Sequence, residues 1–194
     1  MANYEQAAWF FKRRVMRYDI PEILIASQLY RQFRPLSVFD MGCGIGSYLA
    51  AFFQLNCRVR GCELGRKAAL PYIRRYLRSH VSDEDISQPL RARRGADLVL
   101  CLEVAEHIPL ESHPTMWANI HMLARGAVLF SAGLPTQPGY GHVACQSRDK
   151  WIAEADAAGL EWHSAETREV CEAIRTIGDP LGFTDRLLVF RRKR

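Results

Sequence analysis

The chain has 194 residues, of which 48% are hydrophobic and 24% charged, and a formal net charge of +5. These values fit one globular α/β domain, and the lack of any apolar run near 18 residues excludes a membrane-spanning helix. The first residues lack a secretory pattern, so we expect a cytoplasmic protein.

Six cysteines are spread along the chain without a C-x-x-C pair, which predicts neither a disulfide framework nor a zinc site. The positive charge is clustered, for example at Arg74-Arg75 and at Arg191–Arg194. Such clusters can bind nucleic acid, although they are more often solvated faces. Nucleic acid is therefore the second choice of partner.

The first 34 residues are predicted to form a helical cap on a core domain at 35–194, the two making one domain over 1–194. Aromatic residues at helical spacing (Trp9 and Phe10 among them) predict a helix over 4–18, and Pro21 sits in the first turn of a second helix. The first of these helices could cover a ligand.

A short apolar strand at 37–41 runs into three glycines at alternate positions, Gly42, Gly44 and Gly46. A strand followed by a glycine turn and then a helix, predicted here at 47–54, is typical of a nucleotide cradle. Because no Lys-Ser or Lys-Thr pair follows, a phosphate-binding P-loop is excluded. Asp40 directly before the turn suits a cationic ligand.

Further strands and helices alternate to the end of the chain, with strands predicted at 58–63, 96–102, 127–131, 161–166 and 186–190. Helices are predicted at 66–77, 112–123, 148–158 and 168–176. Alternation of this kind indicates a largely parallel sheet covered on both faces. Ligands bind such sheets at the carboxyl ends of the strands, where Asp40, Glu63, Asp85, Glu103 and Ser131 lie. His80, His113, His121 and His163 show no partner and are interpreted as surface residues.

Glu63 follows the second strand, 23 residues after Asp40, which is close to the spacing of an acid that binds ribose hydroxyls. With the glycine turn, the Asp85-Ile86 pair and the segment from Glu103 to His107, the region 35–165 resembles the class I S-adenosylmethionine-dependent methyltransferases. The resemblance implies a Rossmann-like three-layer α/β/α sandwich. Its sheet would be mostly parallel and seven-stranded, with an antiparallel last strand.

The resemblance also implies that S-adenosylmethionine is the cofactor. Asp40 would lie near its ammonium group and Glu63 would hold the ribose, with Leu64 on the adenine. Asp85, or Asp83 if the assignment slips, would meet the adenine amino group. The cofactor-binding residues implied are Asp40, Gly42, Cys43, Gly44, Gly46, Glu63, Leu64, Asp85, Ile86, Glu103 and Val104.

Glu103, Glu106 and His107 would share one face of a helical turn, at positions i, i+3 and i+4. Two carboxylates and an imidazole suit Mg2+ or Mn2+, so these three residues are candidate metal ligands, with His142 as a fourth. Alternatively His107 is a base without a metal, or the residues are structural. Glu106, His107 and His142 are the candidate catalytic residues.

The loop at 134–142 should border the acceptor, with Tyr140 and His142 as its contacts. The predicted function is methyl transfer to an oxygen of a small molecule or glycan. The alternatives are a metal-dependent RNA ribose 2′-O-methyltransferase and a non-catalytic subunit that binds the cofactor and activates a partner. The sequence leaves the oligomeric state open.

Overall fold

A computed structural model describes residues 9, 11–12, 19–91, 94–135, 137 and 139–193. The helix predicted at 4–18 lies mostly outside the described residues. Within the described part of the chain, none of the helices has both the length and the apolar character that crossing a bilayer requires.

The described helices flank a seven-stranded sheet. The strands are β1 (Ser37–Met41), β2 (Arg58–Cys62), β3 (Val81–Ser82), β4 (Ala96–Leu102), β5 (Ala124–Ser131), β6 (Leu160–Trp162) and β7 (Leu188–Arg192). The α-helices are α1 (Asp19–Phe33), α2 (Ser47–Gln54), α3 (Arg66–Ala69), α4 (His113–Leu123), α5 (Arg148–Ala157) and α6 (Ser164–Arg175). Three 3-10 turns lie at Arg75–Leu77, Ala105–His107 and Leu110–Ser112.

The strand order is β3-β2-β1-β4-β5-β7-β6. Strands β1 to β5 pair in parallel, whereas β7 runs antiparallel to both β5 and β6. The carboxyl ends of β1, β2 and β4 therefore lie at one edge of the sheet, and the loop before β7 returns to the same edge. This arrangement confirms the predicted sandwich, including its antiparallel last strand.

Each face of the sheet has its own core. One core joins alternate strand residues such as Val38 and Leu98 to helices α1, α2 and α6, through fully buried residues that include Leu29 and Phe52. The other joins the opposite strand residues to α4 and α5, where Trp117 and Trp151 pack around Phe130. Continuous apolar strands are buried on both faces, as a parallel sheet requires.

The structure agrees with the predicted strand at 37–41 and the helix at 47–54. It places the ends of several other elements differently. The helix predicted at 66–77 ends at Ala69, followed by a turn and a separate 3-10 turn. Pro71 explains the break because it has no N–H to donate to the preceding helical turn. Strand β5 begins three residues before its predicted start, and α6 begins four residues before its own.

Candidate active site at the carboxyl edge of the sheet

The glycine turn after β1 is held by the end of β2. The N–H groups of Gly42 and Cys43 both donate to the carbonyl of Cys62, at 2.9 and 3.0 Å. Gly42, Gly44 and Gly46 all have left-handed φ angles, of 71°, 55° and 77°. A Cβ atom on Gly42 would also come within 2.7 Å of Val104 Cγ2. Only glycine satisfies both conditions there, so the turn presents bare backbone at this edge.

Glu63 lies directly beside this turn. Its Oε2 accepts the N–H of Gly44 and its Oε1 accepts the N–H of Gly65, each at 2.9 Å. Each carboxylate oxygen has a second lone pair and can accept another donor such as a hydroxyl. The side chain of Phe11 is buried and packs against Gly65, so part of the N-terminal segment covers this end of the cleft.

The other residues predicted for cofactor binding differ in exposure. Asp40 is 3% exposed at the end of β1, whereas Leu64 is 68% exposed beside Glu63. Asp85 is half-buried and accepts the N–H of Ser87 at 2.8 Å, while Asp83 is exposed. The segment after β3 is thus a tight turn at the same edge of the sheet as Glu63.

Asn119 of α4 holds this turn in place. Its amide nitrogen donates to the carbonyls of Ile86 and Gln88, at 3.0 and 2.9 Å, and its amide oxygen accepts the N–H of Leu90 at 3.0 Å. A buried side chain that satisfies three backbone groups fixes the loop that carries Asp85. Sequence reasoning missed Asn119 because nothing near it in the chain points to this partner.

Glu103 corrects one prediction. It has a left-handed φ of 56°, and only Ala105–His107 form a helical turn after it, so Glu103 does not share a helical face with Glu106 and His107. Its carboxylate instead accepts two hydrogen bonds from Arg186, at 3.2 Å from Nε and 2.8 Å from Nη2. This ion pair joins residues 83 positions apart in the sequence. It uses the carboxylate of Glu103 that was predicted to bind a metal ion.

His142 takes the place of Glu103 in the cluster. One potential ligand atom from each of Glu106, His107 and His142 lies within 4.8 Å of the other two. The rings of His107 and His142 meet edge to face, with centroids 4.9 Å apart. The structure therefore brings together the three residues that the sequence named as catalytic candidates.

Glu106 is fully buried at the base of this cluster. Within the part of the chain that the structure describes, neither of its carboxylate oxygens has a hydrogen-bond partner. Burial, together with the nearby charge of Glu103, raises the pKa of Glu106 to about 7. Nε2 of His142 lies 4.0 Å from Oε1 of Glu106. Glu106 can therefore take up or release a proton near neutral pH.

The two histidines are oriented by the loop after β5. His107 Nδ1 lies 3.1 Å from the carbonyl of Gly141, which places the ring proton on Nδ1 and leaves Nε2 with a lone pair. Partial desolvation lowers the pKa of His107 below its usual value of 6.5 although part of the ring is exposed, so the imidazole is neutral at pH 7. His142 Nδ1 lies 3.3 Å from the thiol of Cys145. A neutral imidazole with an open nitrogen can accept a proton or bind a metal.

The same loop is anchored to the backbone of the cluster. The N–H groups of Val143 and Ala144 both donate to the carbonyl of Glu106, at 2.8 and 3.1 Å. Tyr140 is 73% exposed at the rim, so it is positioned to meet a molecule arriving from solvent. Two residues of the predicted loop, 136 and 138, lie outside the described residues.

Arg186 and Cys145 are further residues that sequence reasoning missed. Arg186 comes just before β7, and its charge was indistinguishable in the sequence from those of the other arginines. Cys145 was considered only as one of six cysteines without a C-x-x-C pair, although it is half-buried and touches His142. A signal for Cys145 existed, namely its position three residues after a candidate catalytic histidine.

No protein-family profile matches this sequence, and no curated protein shows significant similarity to it. Solved structures are similar in fold. DesVI of Streptomyces venezuelae superposes with a TM-score of 0.68 at 16% identity, and the match covers 99% of both chains. An O-methyltransferase family protein from Burkholderia thailandensis gives a TM-score of 0.65 at 19% identity, with 95% of this chain matching 58% of that one.

The O-methyltransferase from a trans-AT PKS multienzyme of Brevibacillus brevis, crystallised with S-adenosyl-L-homocysteine, gives a TM-score of 0.60 at 14% identity. The match covers 90% of this chain and 72% of that one. These likenesses, at 14% to 19% identity, are likenesses of fold. The chain has the fold of the class I S-adenosylmethionine-dependent methyltransferases.

Proposed function

We propose that this protein binds S-adenosylmethionine at the carboxyl edge of its sheet and methylates an oxygen atom of a small molecule or glycan. The observation that carries the proposal is the glycine turn with Glu63 against it. A bare backbone turn in left-handed conformation, with a carboxylate at the end of the neighbouring strand against it, fits an adenosine-containing ligand.

Each predicted residue has a role in this proposal. The backbone of Gly42, Cys43, Gly44 and Gly46 would lie along the amino-acid part of the cofactor, with Asp40 near its ammonium group. Glu63 would accept hydrogen bonds from the ribose hydroxyls. Leu64, Asp85 and Ile86 would surround the adenine, and Glu103 and Val104 would form the floor. When bound, S-adenosylmethionine supplies a methyl group already activated by a positively charged sulfur.

The cluster beyond Val104 favours an oxygen acceptor. A hydroxyl is a weak nucleophile until its proton is removed, whereas an amine needs no such help. His107 offers a neutral ring with a free Nε2, and Glu106 and His142 lie beside it to receive or stabilise the charge. Tyr140 at the rim would contact the acceptor, and the surrounding loop would exclude water.

A divalent ion bound by Glu106, His107 and His142 is the second way to activate a hydroxyl at this site. The buried oxygens of Glu106, without hydrogen-bond partners among the described residues, fit Mg2+ or Mn2+, and the imidazoles fit Mn2+ better. A chelator distinguishes the two. If an ion acts, EDTA should abolish turnover, and Mg2+ or Mn2+ should restore it. Turnover that is indifferent to EDTA leaves His107 as a base without a metal or as a structural residue.

Cofactor binding is tested by titrating the protein with S-adenosylhomocysteine in a calorimeter. Loss of the Glu63 hydrogen bonds in Glu63→Ala should weaken binding by roughly 10-fold to 100-fold, as expected for bonds to a charged group. Glu63→Gln keeps the shape but replaces one accepting oxygen with a donating NH2 group, so it tests the charge together with one acceptor. Glu111→Ala, an exposed acid elsewhere, is the matched control and should bind normally. Equal affinity in wild type and Glu63→Ala would refute the ribose role.

The acceptor is identified by a screen with a labelled methyl group. Small hydroxylated compounds, glycans and RNA are offered with and without divalent ion, and the labelled product is counted. Transfer to an oxygen of the first two classes supports the proposal. Transfer only to RNA indicates the ribose methyltransferase alternative, and cofactor binding without any transfer indicates a non-catalytic subunit.

A further inference from the structure

A groove runs along the outer edge of the sheet, from the amino end of β2 to Ser82 at the end of β3. It encloses about 620 Å3 between the end of α2, strand β2 and the residues leading into β3. Arg58 opens β2, whereas Glu63 follows its last residue, so the groove reaches to the opposite end of this strand. Its volume lies within the usual range for small-molecule sites.

The groove is positively charged. Arg58 and Arg60 are two residues apart on β2, so their side chains leave the same face of the strand roughly 7 Å apart. Both residues are exposed, and within the described part of the chain neither guanidinium makes an ion pair. No acidic side chain is among the described residues that line the groove. Two uncompensated guanidinium groups favour a ligand with phosphate groups.

The groove also offers aromatic surface. Phe53, at the end of α2, is 40% exposed and lines it. Tyr76 packs on Phe53 with ring centroids 5.2 Å apart, and His80 meets the same ring edge-on at 5.8 Å. Exposed aromatic residues of this size normally mark a binding surface when they cluster. Phe53 belongs to the helix that packs on the Val59 face of β2, whereas Arg58 and Arg60 leave the opposite face, so a base on Phe53 with its phosphate on the arginines would span the open edge of the strand.

Ser79 adds a hydroxyl group to the lining, whereas the hydroxyl of Ser82 is used by the carboxylate of Glu84 and the carbonyl of Gly61. His80 is fixed by the contact of its Nδ1 with the carbonyl of Val59, at 3.0 Å, so one wall of the groove is rigid. The groove therefore combines a rigid wall at His80, two guanidinium groups without ion pairs at Arg58 and Arg60, and the exposed ring of Phe53.

We propose that this groove binds a nucleotide, through phosphate contacts with Arg58 and Arg60 and base stacking on Phe53. The nucleotide can be free or part of a single strand, since both present the same base and phosphate. An acidic peptide would use the arginines and leave the aromatic cluster unused, so the observations favour the nucleotide. The inference does not depend on methyl transfer at the carboxyl edge.

The test uses three probes with the full-length protein: a fluorescein-labelled ten-nucleotide adenylate RNA, ADP, and polyglutamate of similar charge. Fluorescence anisotropy follows the RNA, and the other two compete with it. Wild type should bind the RNA with an affinity that falls as salt rises. Displacement by ADP at comparable concentration indicates a free-nucleotide site, whereas binding of the RNA alone indicates a strand.

The charge contribution is tested with the double variant R58S/R60S. Affinity for the nucleotide probe should fall at least about 10-fold, and for RNA the log–log salt slope should become shallower by about 1.4, as expected for two lost phosphate contacts. The matched control is K150S/R168S, which removes the same charge from exposed positions away from the groove. It should bind like the wild type.

The stacking contribution is tested with Phe53→Ala, which should weaken binding between about 5-fold and 100-fold without changing the salt slope. Circular dichroism and S-adenosylhomocysteine affinity check that each variant is folded. The proposal is overturned if wild type binds none of the nucleotide probes, if polyglutamate competes as well as RNA does, or if K150S/R168S loses as much affinity as R58S/R60S.

Discussion

At the scale of single residues, Glu106 has the most unusual environment in the described chain. It is fully buried, its carboxylate has no hydrogen-bond partner among the described residues, and the two histidines beside it are held by the loop after β5. Burying a charged carboxylate costs free energy, so the ionised form of Glu106 lowers the free energy of unfolding. A residue kept at such a cost is typical of a reactive site.

This cost depends on pH. The pKa of Glu106 rises from 4.5 in the unfolded chain to about 7 in the fold, so the folded state holds the proton more tightly. The stability contribution of Glu106 therefore falls as pH rises from 4.5 to 7, by about 3 kcal/mol in total. With a chelator present, Glu106→Gln should raise the melting temperature at pH 8 and change it little at pH 4.5.

Glu111→Gln is the control for that experiment, because Glu111 is exposed and should give the same small change at both pH values. A melting temperature of Glu106→Gln that is lower than wild type at pH 8 would contradict the argument.

Gly42 gives a second prediction at this scale. Gly42→Ala places a side chain at a φ of 71° and against Val104, so it should lower the free energy of unfolding by about 2 to 4 kcal/mol. Val104→Ala removes the overlap and leaves the backbone strain. In urea unfolding, Gly42→Ala should therefore lower the free energy of unfolding by less when it is made in the Val104→Ala variant than when it is made in the wild type. Full additivity of the two changes would mean that the overlap is absent.

At the scale of elements, helices α4 and α5 are joined by one carboxylate. Glu154 of α5 accepts the indole N–H of Trp117 at 2.9 Å, contacts Nδ1 of His113 at 3.0 Å, and accepts the side-chain amide of Gln146 at 2.8 Å. His113 was interpreted as a surface residue, yet it is 2% exposed. Its second nitrogen lies 3.0 Å from the carbonyl of Ile108.

Removing this shared acceptor should loosen the contact between the two helices. Glu154→Ala leaves three buried or half-buried donors without their partner, so urea unfolding should show a loss of about 2 to 4 kcal/mol. Asp149→Ala changes an exposed acid on the same helix and should alter stability by less than about 0.5 kcal/mol. Similar losses in the two variants would show that α5 responds to any substitution.

The elements also show what sequence can predict. The unit from β1 to α2 was predicted to the residue because its signals are local: an apolar run, three glycines and a helical pattern. Its spacing from Asp40 placed Glu63 at the end of the second strand, and the structure puts it against the glycine turn. The pairing of Glu103 with Arg186 and of His113 with Glu154 could not be found this way, since each joins residues that are at least 41 positions apart. The assumed helical face failed because a left-handed residue interrupts it at Glu103.

At the scale of the whole molecule, the two cores bury most of the cysteines. Cys43, Cys57, Cys62, Cys101 and Cys171 are buried, and Cys145 is half-buried. Burial raises the pKa of all six thiols, and the charges of Glu106 and Glu103 add to the rise at Cys145. Thiol reactivity should therefore report on folding.

With a chromogenic disulfide reagent at pH 8, the native protein should show at most one slowly reacting thiol, and the protein unfolded in guanidinium should show all six. Cys145→Ser should remove the native reaction and leave five thiols after unfolding. Several thiols reacting quickly in the native protein would mean that the cores open readily. S-adenosylhomocysteine binding confirms that Cys145→Ser is folded.

The attachment of Val143 and Ala144 to the carbonyl of Glu106 uses main-chain atoms only. Such a tether does not depend on the side chains upstream, so positions 134, 135 and 137 can be diversified while the downstream end of the loop stays in place, whereas Gly139 must be kept because a Cβ atom there would overlap the ring of His142. Under the proposed function, a directed-evolution library confined to those positions would vary acceptor preference without altering the glycine turn or Glu63. Natural divergence could exploit the same division of labour, with new acceptors gained through one short surface segment.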